Sequence, residues 1–543
     1  MKRSLVLLIG IFLLLLAGCK DSSSEPTSSS GKGSGTSEED GVVSFEAFSF
    51  QSSIIKDYDN NDLTKLVEEM FNVDIKWTLA PDESALEKQQ LLLASGNYPE
   101  VFFGGDFNQN DQIKFGKSGV LIPLNDLIEE YGPNIKLAME ETPYLNKGIT
   151  APDGNIYALP GLEECYHCDY SQKMYINVKW LEELNLEMPT TPEELEVVLK
   201  AFKEQDPNKN GKQDEIALTG AVKSWHGEPT GFLMNAFVYD NEMDYFAMNN
   251  GNVSFVANTP AWKQGIEYIS NLYKQGLIDP QAYTQQEEGL NKQANNPGDV
   301  IVGAFTRGCC TPTVGEDGRW TQYEVVPPLK GPNGVQFAAY YGGSVGNGMF
   351  AITNKASEAQ QIAAIKIVDY FYSQEGALDA MYGPKGIGWF DPKPEEKGIN
   401  GETALYSAIE PYQREDKDTR SVTWDISLKY TPQSLFDGRA QNQDITQVDG
   451  YEVYLAKMTD RMSPYKPEET YPLAVWLTPE EAQRLAQMRI DINNYVMQNS
   501  VQFITGQKDV NKEWNSYVEG FNGLGLEVYL KAYQDAYDRM YSE

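Results

Sequence analysis

The chain has 543 residues, too many for one ordinary hydrophobic core, so two or more domains are expected. Its 79 acidic residues outnumber 44 Lys and Arg, giving a formal charge of −35, which argues against nucleic acid as a partner because phosphates demand a basic surface. Two histidines in the whole sequence argue against a His-rich metal site or a Ser-His-Asp machine.

Lys2 and Arg3 begin the chain, Leu5 to Leu16 is almost wholly apolar, and Ala17-Gly18-Cys19 follows. A charged start, a short apolar run and small residues at its end make a secretory signal peptide, and the run is too short to span a membrane. The tetrad Leu16-Ala17-Gly18-Cys19 resembles a bacterial lipobox, which implies cleavage before Cys19 and a diacylglyceryl group on its sulfur. Two acyl chains suffice for stable anchoring. Lys20 to Asp40 is Ser, Gly, Thr and acid with no large apolar side chain, and reads as a flexible tether. Residues 1–18 are thus the signal, 19–40 the lipidated tether, and the folded body begins near Gly41. Its acidity favours a body repelled from an anionic membrane surface and held there by the anchor.

Within the body, Val42 to Phe50 predicts a strand, Leu63 to Phe71 a helix, Val73 to Leu79 a strand, Asp82 to Ala94 a helix and Glu100 to Phe103 a strand ending in Gly104-Gly105-Asp106. This order predicts a mostly parallel sheet with helices on its faces, an α/β architecture in which ligands sit at the carboxyl ends of strands. Gln51 to Ser53 and Asp106 to Phe107 lie at those ends. A helix reaching Tyr131 follows Leu121-Ile122-Pro123-Leu124; Asp153 to Pro160 is a turn, a short strand and a proline stop; Met174 to Asn177 is another strand. Thr191 is placed to cap a helix with Pro192 first and acids behind it.

Several segments in order carry a family resemblance: Tyr98-Pro99-Glu100-Val101, Leu121-Ile122-Pro123-Leu124, Gly154 to Pro160, Tyr175-Ile176-Asn177 with Trp180-Leu181, and Pro189 to Glu194. At the other end stand Phe503-Ile504-Thr505-Gly506, Trp514 with Tyr517, Gly523-Leu524-Gly525 and Ala536-Tyr537-Asp538-Arg539. This order resembles the extracellular solute-binding proteins, family 1, and within them the large lipoproteins that include alginate-oligosaccharide binders. The resemblance implies a two-lobed periplasmic-binding-protein-like fold with a hinge and an interlobe cleft, closing on ligand. It also implies a monomer that delivers a carbohydrate to the permease subunits of an ATP-driven importer. By the same analogy residues 41–158 form lobe 1, 159–345 lobe 2, 346–395 a return to lobe 1, and 396–543 lobe 2 with the C-terminal helices. Crossings are expected near Tyr157 to Pro160 and near Tyr341 to Asn347, whose glycines tolerate backbone change.

The strongest local motif is Asp206-Pro207-Asn208-Lys209-Asn210-Gly211-Lys212-Gln213-Asp214-Glu215. Oxygen donors fall at alternate positions with Gly at the sixth, a spacing that lets one loop wrap Ca²⁺. Asp206, Asn208, Asn210, Asp214 and Glu215 would ligate by side chains and Lys212 by its carbonyl. Position twelve is Ala217, so the loop departs from a standard EF-hand, with Glu215 at position ten taking the place of the terminal Glu. An Asx-rich turn without metal is the plain alternative. Similar loops in the resembled subgroup hold calcium structurally.

Beyond Cys19, four cysteines form Cys165-Tyr166-His167-Cys168 and Cys309-Cys310. Outside the membrane disulfides are expected, three connectivities being open, with local bridges at the cleft edge as the working idea. A four-thiolate zinc site and a CxxC redox role are the rivals. Aromatic residues are abundant, and most must be core; those beside strand ends could stack on sugar rings while Asp, Arg and His bond hydroxyls. On that logic Asp106, Tyr166, His167, Trp225, Arg307, Trp320, Tyr341, Trp389 and Trp424 are the candidate ligand contacts. No carboxylate pair or base motif points to a glycosidase or lyase, so a surface enzyme is the lesser alternative, and a sensor or adhesion protein on the same fold the other.

Overall fold

Helix Asp62–Phe71 illustrates how the chain folds locally. The Asn61 side chain accepts from Leu63 N at 3.0 Å, Leu63, Thr64 and Val67 line its buried stripe, and Asn72 ends it in the left-handed region at φ 52°. The computed structural model describes residues 41–53, 55–315, 318–409, 421–472 and 474–541. The signal, Cys19 and the tether, residues 1–40, lie outside the described residues.

Eight strands build the two main sheets. In chain order they are β1 (Val43–Gln51), β2 (Val73–Pro81), β3 (Val101–Phe107), β4 (Lys173–Asn177), β5 (Ile216–Thr219), β6 (Val302–Arg307), β7 (Tyr323–Val325) and β8 (Gly348–Ile352). The first sheet has the order β8-β3-β1-β2, with β1 parallel to both β2 and β3 and β8 antiparallel at the edge. This is the expected β-α-β-α-β unit, with helices Asp62–Phe71 and Asp82–Ser95 as crossovers. Strand β3 does not stop at Phe103, because β8 keeps pairing with it as far as Phe107 opposite Gly348. The second sheet has the order β7-β4-β6-β5. Thr191 caps helix Pro192–Glu204 by accepting from Glu194 N at 3.2 Å, as its spacing predicts. The expected short strand before Pro160 reduces to a single bridge between Leu159 and Phe350.

From Val42 onward the body is one compact unit, and among the described residues two large buried clusters, with two smaller ones beside them, make up its hydrophobic core. One core gathers Phe45, Val101, Phe103, Phe350 and Phe371 around the first sheet. The other gathers Tyr175, Phe305, Trp320 and Tyr323 around the second sheet and takes Phe503, Trp514, Tyr517 and Phe521 from the C-terminal helices. These are the two lobes of the fold.

Three segments join them. Leu159 pairs with Phe350, Tyr341 N donates to Asp169 O at 2.9 Å, and Leu162-Glu163 runs parallel to Tyr430-Thr431. The third crossing differs from expectation. Residues beyond 395 do not return at once to the second lobe: Trp424, Ile426, Leu428 and Tyr430 are buried in the first core, and Tyr406 and Leu435 pack on its helix Gln374–Tyr382 with Trp389. Apolar burial carries the first lobe on to about Leu435, and helix Tyr451–Thr459 is the first to rejoin the second core. Gly161 lets the first crossing touch the first-lobe segment that leads to the third, since a Cβ there would collide with the Ser427 carbonyl.

Trp424 is wholly buried, its ring 4.9 Å from Trp77 and its Nε1 donating to Thr64 Oγ1 at 2.8 Å. Trp424→Ala is expected to cost about 3–5 kcal/mol in urea unfolding. Trp225→Ala, at a side chain 43% exposed, is expected to cost under about 1 kcal/mol. Equal losses for the two would contradict this division of the tryptophans.

Candidate interlobe ligand cleft

Strands β5 and β6 of the second lobe end side by side, and the loop after β5 folds back over them. Gly308 N, just past β6, donates to Trp225 O at 2.9 Å, and the indole lies flat enough on Gly308 that any Cβ there would strike the ring. The indole is thus packed on backbone at Gly308 while Trp225 remains an exposed residue. His226 follows at φ 52°, a strained backbone for a non-glycine residue. Its ring lies 4.5 Å from that of Tyr341, which stands on the second crossing. Glu242 Oε2 meets His226 Nδ1 at 3.0 Å, and the Tyr341 hydroxyl donates to Asn241 O at 3.1 Å. The result is a continuous aromatic wall, Trp225-His226-Tyr341, backed by a carboxylate.

This wall bounds a cavity of about 820 Å³ between the lobes. Tyr144 contributes from the first lobe, Glu163 and Glu164 from the first crossing, Tyr340 to Ser344 from the second, and Gln433 from the segment that leads to the third. Glu164 joins three of these parts: its carboxylate accepts from Tyr144 OH at 2.9 Å and from Gln433 N at 3.1 Å. Asp169 also lines the cavity, and burial, reinforced by the charge of Glu164, pushes its carboxyl up to about 6. Behind the wall Glu228 is pushed up to about 7, and Asp240 well above the carboxylate range, in both cases first by burial and then by Glu242. The chemistry on offer is flat aromatic faces beside hydrogen-bond acceptors, suited to a polyhydroxylated ligand.

Of the residues singled out from sequence, Trp225 and Tyr341 line this cavity. Tyr166 and His167 stand behind it: Tyr166 OH is held by Ser463 at 2.8 Å and Asp460 at 3.0 Å, and His167 Nε2 by Glu452 at 3.2 Å. Asp106 accepts from Asn347 Nδ2 at 2.6 Å, at the rim of a second, smaller cavity of about 430 Å³ lined by Asn108, Pro160, Asn347 and Arg489. That cavity offers less aromatic surface, and the larger one is the better candidate. Arg307 is buried and bound to Glu287 at 2.6 Å. Trp320, Trp389 and Trp424 serve packing. Trp320 packs edge-on against the stacked pair Tyr451 and Tyr454, and Trp389 donates to Asp379 at 2.7 Å. His226, Glu242, Asp169 and Glu164 were missed; adjacency of one of only two histidines to Trp225 was the available signal.

Cys165 and Cys168 are joined in a disulfide at the cleft edge, whereas Cys309 and Cys310 are free. The adjacent pair is therefore not the local bridge proposed from sequence. Cys165, His167 and Cys168 come together closely enough to ligate a metal, but both sulfurs are consumed by the disulfide, which leaves no four-thiolate zinc site.

The loop Asp206 to Glu215 is wound on its own donors. Asp206 accepts from Asn210 N and Gly211 N at 3.1 and 3.0 Å, and Asn210 accepts from Lys212 N at 2.8 Å. Asn210 Nδ2 donates to Asp214 at 3.1 Å. Both Glu215 carboxylate oxygens are buried without a partner, and burial raises its carboxyl, with Asp214 and Asp206 adding repulsion. An orphaned carboxylate beside two others fits a cation.

The model of the bacterial extracellular solute-binding protein family matches residues 57–378. The fructooligosaccharide ABC transporter substrate-binding protein FusA of Streptococcus pneumoniae is 28% identical over 509 residues, 89% of this chain and 88% of that one. The polygalacturonan/rhamnogalacturonan-binding protein YtcQ of Bacillus subtilis is 26% identical over 401 residues, 70% of this chain and 73% of that one. Among solved structures, FusA in complex with kestose aligns with a TM-score of 0.72 at 26% identity, covering 91% of this chain and 99% of that chain. An EF-hand mutant of FusA in complex with fructo-nystose aligns with a TM-score of 0.73 at 25% identity, over the same 91% and 99%. Among the described residues no helix is long and apolar enough to cross a membrane. With two lobes, a cleft between them and a family match over more than half its length, the chain is a binding protein rather than an enzyme, and it belongs to the bacterial extracellular solute-binding protein family.

Proposed function

We propose that the chain captures an oligosaccharide in the cavity lined by Trp225 and Tyr341 and hands it to the permease subunits of an ABC importer, its body tethered outside the membrane through lipidated Cys19. The observation that carries this reading is the aromatic wall Trp225-His226-Tyr341 facing the acceptors Glu164 and Asp169. Pyranose and furanose rings present apolar faces and hydroxyl edges, and a site must meet both, since a buried unpaired hydroxyl is costly. FusA, which resembles this chain along most of both lengths, supports the substrate class. The lobes close on ligand about the three crossings. A thermal-shift screen of residues 41–543 against oligosaccharides is the test: at a hundred times the dissociation constant a bound sugar adds about 2.7 kcal/mol. Sugar recovered intact and a saturable shift are expected. Trp225→Ala is expected to weaken binding by about 2 kcal/mol, roughly thirtyfold. Undiminished affinity in that variant would remove the wall from the site.

The loop from Asp206 to Glu215 holds a structural Ca²⁺ in this reading. Asp206, Asn208, Asn210, Asp214 and Glu215 supply side-chain oxygens and Lys212 its carbonyl. The orphaned Glu215 carboxylate and the EF-hand mutant made of FusA support it. Calcium is expected to raise the melting temperature of the wild type and to leave that of Glu215→Gln unmoved, while the two melt alike in chelator. An equal calcium increment in both would contradict the site.

A further inference from the structure

We infer that the cleft selects neutral oligosaccharides and rejects those carrying uronate carboxylates, with Glu164 and Asp169 as the residues that set this choice. The inference rests on the carbohydrate-binding reading of the same cavity.

Four carboxylates line the cavity, Glu163, Glu164, Asp169 and Glu242, and among the described residues no Lys or Arg does. The nearby cations are already engaged. Lys429 is buried against Glu163 at 3.1 Å. His226 is held by Glu242 at 3.0 Å. Lys173 is buried outside the cavity, its Nζ donating to the His167 and Tyr170 carbonyls at 2.7 and 2.6 Å. Lys466 lies over the Tyr340 ring, 3.5 Å from its centroid.

Among the described residues no cation lies within ion-pair distance of Glu164 or Asp169; Lys466 and Lys173 act on Asp169 only from further off, and burial with the charge of Glu164 outweighs them. Glu164 holds only neutral donors, the Tyr144 hydroxyl and the Gln433 amide. No hydrogen bond among the described residues reaches the Asp169 carboxylate. An ionised carboxylate only accepts hydrogen bonds, so it matches sugar hydroxyls, which donate. A uronate brings a second acceptor-only anion into the same partly buried space. Juxtaposed like charges of this kind cost several kcal/mol, more than a tenfold loss of affinity. Discrimination therefore needs no steric block, only the absence of an Arg or Lys to receive the acid.

The test is calorimetric titration of the purified, calcium-loaded protein at low salt. The probes are neutral fructo-, gluco-, manno- and galacto-oligosaccharides of three to five units, with oligogalacturonates and oligomannuronates of the same lengths. At least one neutral series is expected to bind, with every uronate weaker by about tenfold or more. In Glu164→Gln/Asp169→Asn the ratio of neutral to uronate affinity is expected to fall by about tenfold, whatever happens to the neutral affinity itself. If that variant does not fold, the wild type still reports: added salt should narrow the gap by screening the repulsion. Uronates binding as tightly as neutral sugars, or a salt-independent gap, would overturn the charge selection and leave the oligosaccharide reading standing. Binding of no glycan in either class would overturn both.

Discussion

Two buried cores joined by three thin crossings constrain everything else in this molecule. Leu159 and Leu162 lend their side chains to the first core, and the crossings are tied further by backbone bonds, Leu159 to Phe350, Leu162 to Lys429 and Tyr341 to Asp169. The space they leave between the lobes is the cavity, and the residues that flank the crossings, Glu163, Glu164 and Tyr340 to Ser344, line it. Trp476 adds a further tie, its indole donating to Gly148 O at 3.1 Å and packing against Phe48, Phe102 and Tyr157 of the first lobe.

The electrostatics follow from that geometry. Carboxylates that would be unremarkable on an exposed face are drawn together where the second lobe meets the crossings. Burial penalises their charge, which is why Asp169, Glu228 and Asp240 all titrate upward. The loop at Glu215 shows the same physics: a carboxylate left without a partner is raised by burial, with Asp214 and Asp206 adding repulsion.

The alternation of apolar periods made the first sheet readable from sequence, and Thr191 and Pro192 made one helix start readable to the residue. The lobe boundary after 395 was not, because Trp424 and Tyr430 reach the first core only through contacts far apart in sequence, with Trp77 and Tyr372. For the same reason Trp225 could not be told from Trp320, Trp389 or Trp424: an indole beside a strand end packs equally well inward or outward, and what turns Trp225 outward is Gly308, more than eighty residues away. Glu164 and Asp169 were hidden among 79 acids and gain meaning only when the crossings bring Tyr144 and Gln433 to one of them.

Hydrogen exchange with and without a saturating oligosaccharide tests the central claim most directly, because it reads which of the two interlobe spaces receives the sugar. The account predicts new protection in residues 162–171, 224–226, 241–243 and 340–344, with the segments around Asn108 to Gln112 and Tyr471 to Arg489 little changed. Protection confined to those last two segments would place the ligand in the smaller cavity and contradict the assignment of the aromatic wall.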